Sequence, residues 1–169
     1  MASSGTATVT LPTDTEILIA REFDAPKHLV YKAYTTPELV RRWWTSGRGE
    51  MTTCEIDLRV GGAWRYVMLA HGEFEVAFHG EFREIVENER LVTTEVYEMP
   101  DAPPPAPEDE PLNIVTLTES GGRTTLEIVV KTTSKELRDL IVGSGMEEGM
   151  QDGMDLLEQI AIEMARDGA

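Results

Sequence analysis

The sequence is short of cysteine, histidine and positive charge: its 169 residues include one cysteine, three histidines and 15 lysines and arginines, against 31 aspartates and glutamates. With Cys54 alone there is no intramolecular disulfide and no thiolate zinc cluster. Such usage suits a reducing cytoplasm, which is the expected location. Cys54 sits in a strand-like stretch with no histidine near it in sequence, so it reads as a small buried hydrophobe and not as a nucleophile. His28, His71 and His79 show no metal-ligand spacing, and no Walker-type Gly-Lys-Ser/Thr sequence occurs. The stretch from Gly143 to Gly149, GSGMEEG, has a longer spacing than a dinucleotide loop and precedes no βαβ pattern. No cofactor and no metal are expected.

Long apolar runs are missing too: none approaches the roughly 18 residues that a bilayer span requires. Met1 to Thr13 has neither the basic start nor the continuous apolar stretch of a signal peptide. Residues 1–14 therefore read as a disordered tail ahead of one domain at 15–166. The shortage of basic residues leaves a formal net charge of −16. A surface this acidic repels phosphate backbones and anionic lipids, which argues against nucleic acid and membranes as partners. Hydrophobic residues at 41% and charged residues at 27% describe a globular chain long enough to bury a core without staples.

What is present is organised as strands, short helices and one long helix. Glu16 to Phe23 alternates, with Ile17, Ile19 and Phe23 on one face. Asp24-Ala25-Pro26 opens a short amphipathic helix with Asp24 as its N-cap, and Thr36-Pro37-Glu38 opens a second that leads to Trp43 and Trp44. A hairpin about Gly61-Gly62 follows, and alternating runs from Phe74, from Leu91 to Tyr97, from Asn113 to Thr118 and from Thr124 to Lys131 complete an antiparallel meander. Asp101 to Pro111, DAPPPAPEDEP, predicts an exposed, extended loop, because so many prolines cannot join a ladder. From Ser134, a candidate cap, the period becomes helical; glycines predict a break at Gly143-Ser144-Gly145 and a main helix from about Met146 to Ala165. On strand parity Glu55, Glu81 and Glu95 lie opposite their apolar neighbours, which favours solvated positions for most of them.

The expected fold is α+β: a curved antiparallel sheet of six or seven strands around a long C-terminal helix, with two short helices after the first strand. That is the order of the helix-grip, or START-like, fold. The segments FDAPKHLVYKAYTTPELVRRWW, CEIDLRVGGAWRYVM, FHGEFREIVENERLVTTE and GMEEGMQDGMDLLEQI together resemble the homologues of the activator of the heat-shock-protein-90 ATPase, within the START and birch-pollen-allergen (SRPBCC) superfamily. The resemblance runs from about Glu16 to Ala165. Met150 stands where that family often carries an aromatic residue, commonly Trp.

The resemblance implies a binding module that encloses a small apolar or amphipathic molecule between the sheet and the C-terminal helix. Large, polarizable side chains suited to such a lining are Trp44, Trp64, Tyr66, Met68, Phe78, Met150 and Met154, although the same residues suit a filled core equally well. Two other readings follow from the family: a stress-response protein with a chaperone as partner, and a cavity enzyme of cyclase or hydrolase type. No nucleophile–base–orienter set is visible, so no catalytic residue is assigned. A monomer and a homodimer both fit the sequence.

Overall fold

The computed structural model describes residues 7–98 and 103–168. Among them run nine strands: β1 (Thr8–Thr10), β2 (Glu16–Phe23), β3 (Gly49–Ile56), β4 (Ala63–Ala70), β5 (Phe74–Val86), β6 (Arg90–Thr94), β7 (Val96–Tyr97), β8 (Leu112–Ser120) and β9 (Arg123–Lys131). Helices α1 (Lys27–Thr35) and α2 (Pro37–Trp43) follow β2, while α3 (Lys135–Val142) and α4 (Met146–Arg166) close the chain. The strands form one sheet in the order β1-β2-β9-β8-β6-β5-β4-β3, with β7 alongside β5. Its pairings are antiparallel. No helix among the described residues is long and apolar enough to cross a membrane.

The α+β order is the expected one, and the strand count exceeds six or seven for two local reasons. The first is β1. The tail expected at 1–14 is corrected at its described end, where Thr8 to Thr10 pair with Ala20 to Leu18. Ala7 is buried, and its backbone N–H and carbonyl both bond the Gln151 side chain on α4, at 3.0 and 2.6 Å. Residues 1–6 lie outside the described residues. The second reason is Glu95, which divides the run from Leu91 to Tyr97. Its N–H donates to the Pro111 carbonyl at 3.0 Å, so the chain leaves one ladder before β7 joins β5 at Phe78 and His79.

Two further expectations are corrected. Pro26, not Asp24, stands at the N-cap of α1, and the Asp24 N–H donates to Glu158 instead, at 2.9 Å. The proline-rich loop is exposed from Pro103 to Asp109 but not wholly extended, since Pro107–Asp109 form a short 3-10 turn; residues 99–102 lie outside the described residues.

The long helix forms where the glycine break predicts. Ser134 caps α3 by accepting from the Leu137 N–H at 3.1 Å, and Gly145, at φ +82°, takes the left-handed turn that starts α4. Met154, Leu157, Ile160 and Ala161 of α4 are buried in one core with Ile17, Ile19, Phe23, Leu126 and Ile128 of the sheet. Arg21 fixes this contact from β2: its guanidinium meets Asp155 at 2.7 Å and the buried Glu158 at 2.9 Å. Gly153 explains itself by proximity. A Cβ there would lie 3.0 Å from Ser46 Oγ and 3.2 Å from the Trp43 carbonyl, so any larger residue would press the end of α2 back by a few tenths of an ångström.

Candidate functional site

Away from α4, the connection α1–α2 covers the sheet less completely. Tyr34 and Thr35 of α1, with Trp43 and Trp44 at the end of α2, arch over Trp64 and Tyr66 of β4, Phe82 of β5, Leu91 and Thr93 of β6, Glu95, and Asn113 and Val115 of β8. They line a partly open cavity of about 80 Å³. One water needs only about 10–15 Å³, so several waters or a small organic molecule have room here.

The walls are held open by the sequence itself. Trp43 donates its indole N–H to the Ala33 carbonyl at 2.9 Å and stacks on Tyr34 with ring centroids 5.4 Å apart. Trp64 donates to the Thr94 carbonyl at 3.2 Å. That approach requires Gly80, because a side chain there would collide with the Thr94 carbonyl and the Trp64 ring. Tyr66 lies between Trp64 and Trp44, at centroid distances of 4.8 and 5.3 Å. Cys54, behind this layer, is buried with its thiol pushed up by desolvation, as a structural cysteine should be.

Glu95 is the acidic residue of the cavity wall. Burial pushes its carboxyl above the ordinary range, and a hydrogen bond from the Asn113 side chain opposes the shift. The hydroxyls of Tyr34 and Tyr66 are pushed up as well, chiefly by burial, with the Glu95 charge among the further causes for both. Asn113 Oδ1 is buried and has no hydrogen-bond partner among the described residues. The opposite situation holds on the solvated side of the sheet. There Glu98 takes two 2.9 Å bonds from Arg65 and faces His79 Nδ1 at 2.8 Å, and the Arg65 guanidinium leads in holding its carboxyl down at about 2.

Of the residues chosen from the sequence, Trp44, Trp64 and Tyr66 stand on the cavity wall. Phe78 is outside it, stacked on Tyr97 at 5.0 Å and edge-on to Trp44 at 5.8 Å. Met68 pairs in register with Met51, Met150 packs against the core from α4, and Met154 is buried within that core. The space thus lies between the sheet and α1–α2, not between the sheet and the C-terminal helix. Sequence reasoning missed Tyr34, Glu95 and Asn113. Glu95 corrects the parity reading that favoured a solvated position: it shares strand parity with Leu91 and Thr93, and all three line the cavity.

A curved antiparallel sheet closed by one long helix, with an aromatic cavity beneath two short ones, defines a helix-grip domain. The chain belongs to the family described as Activator of Hsp90 ATPase homolog 1-like protein, whose pattern matches residues 24–161. Solved structures agree in fold. A protein from Rhodobacter sphaeroides is 22% identical, with a TM-score of 0.82 over 94% of this chain and 99% of its own. Protein Ms6760 from Mycobacterium smegmatis is 23% identical, with a TM-score of 0.80 over 92% of this chain and 96% of its own. A protein from Arthrobacter aurescens is 22% identical, with a TM-score of 0.80 over 92% of this chain and 91% of its own. No curated protein matches the sequence.

Proposed function

We propose that the protein binds one small apolar or amphipathic molecule in the cavity between α1–α2 and the sheet. The observation that carries this reading is an 80 Å³ space walled by six aromatic side chains. Protein interiors are otherwise close-packed, and an aromatic-walled space with a few polar groups is the usual form of a small-molecule site. Titration with benzyl alcohol tests it, because indoles line the wall and report on what enters. Saturable quenching of Trp fluorescence is expected, and Val115→Phe, which places a ring in the space, should weaken it. Absence of any saturable change, together with native mass spectra free of a copurified ligand, would overturn the reading.

The family's description supplies a second reading, action beside a chaperone of the Hsp90 type. Stimulation of such a chaperone's ATPase by the purified protein is the test.

A further inference from the structure

We propose that the ligand carries a protonated amine, held by Glu95, the Asn113 side-chain oxygen and the faces of the surrounding aromatic rings. This rests on the binding reading above and adds the chemical class of the molecule. The lining includes one carboxyl, that of Glu95, and no lysine, arginine or histidine. The indole N–H groups of Trp43 and Trp64 are already donated to backbone carbonyls, so these residues offer ring faces and no donors. Asn113 adds a buried acceptor, Oδ1, without a partner among the described residues.

Each of these groups selects for the same head. Ring faces carry the negative lobe of the aromatic quadrupole and attract a cation. An ammonium has three donors and no acceptor, matching a carboxylate and an amide oxygen. A ligand carboxylate would instead meet the like charge of Glu95 with no cation to offset it. Desolvation raises the Glu95 carboxyl, the cavity lining offers no cation to offset it, and a bound ammonium supplies one. The groups facing Glu95 do not compete: the Tyr34 and Tyr66 hydroxyls and the Cys54 thiol behind them are all pushed up, hence neutral, and Asn113 is uncharged. The cavity's size limits the apolar body to about one small ring or short chain.

Benzylamine, benzyl alcohol and benzoate share a ring and differ in the charge of the head. With the full chain at about pH 7.5 and about 0.3 M salt, to screen the acidic surface, calorimetry should rank benzylamine first and benzoate last. The expected amine-to-alcohol ratio is about tenfold or more. Measured from about pH 4 to pH 8, where benzylamine stays protonated, the ratio should grow with pH as the Glu95 carboxyl loses its proton. Glu95→Gln should bring the ratio to about one, whereas Glu55→Gln, an exposed acid on β3, should leave it unchanged. Benzyl alcohol binding without amine preference, or a preference that survives Glu95→Gln, overturns this inference and leaves the binding reading standing. No binding by any of the three overturns both. Should Glu95→Gln fail to fold, the wild-type profile decides, and a ratio flat across that pH range overturns the proposal.

Discussion

One sheet is covered in two ways. Beneath α4 the side chains of Met154, Leu157, Ile160 and Ala161 are buried against β2 and β9, and an Arg21–Glu158 pair locks the helix in register. Beneath α1–α2, bulkier groups leave a space of about 80 Å³. The difference lies in how each side is anchored. Buried apolar side chains and the Arg21 ion pairs seat α4 on the sheet, whereas indoles tied to the Ala33 and Thr94 carbonyls stand as props beneath α1–α2. Residue size alone therefore does not locate a cavity; what the polar end of each large side chain is fastened to also matters.

The strongest way to break the comparison is to remove the lock. Glu158→Ala leaves the buried Arg21 guanidinium without its buried carboxylate, and should cost about 3–5 kcal/mol in chemical denaturation. A smaller effect sharpens the contrast by enlarging one side chain on each side. Leu157→Phe overpacks the filled side and should cost about 1–3 kcal/mol. Val115→Ile adds a methyl facing the cavity and should stay within about 0.5 kcal/mol of wild type.

The smallest effects come from pH, where two carboxyls on opposite sides of the sheet act with opposite sign. Glu98 is lowered from 4.5 to about 2, so the stability it contributes is complete above about pH 4.5 and is lost as pH falls towards 2. Glu95 is raised, so the folded state holds its proton more tightly than the unfolded chain does, and stability is withdrawn as pH rises from 4.5 through the elevated value. Thermal melts should therefore show Glu95→Gln more stable than wild type at about pH 7 and indistinguishable from it at about pH 4.

Most of the fold was legible in the sequence because periodicity and breakers act locally. The alternation at Glu16–Phe23, the turn at Gly61-Gly62, the Ser134 cap and the break at Gly143 to Gly145 each announce an element without reference to its neighbours. Strand β1 was not legible, since its three residues owe their pairing to β2 and the preceding Ala7 is held by Gln151, far away in sequence. The cavity was legible in some of its wall residues and not in its position. Trp44, Trp64 and Tyr66 were visible by type, but which helix covers them depends on how Gly153 and Arg21 seat α4. Glu95 was obscured because Pro111, beyond the exposed loop, interrupts its strand.

The most direct test of the cavity's placement is a nuclear magnetic resonance titration with benzyl alcohol, following the indole N–H signals of the three tryptophans and the methyl groups of the methionines. Saturable shifts at Trp43, Trp44 and Trp64, with the Met150 and Met154 methyls unmoved, are the predicted result. Shifts at Met150 and Met154 with silent indoles would place the ligand beneath α4 and contradict the account.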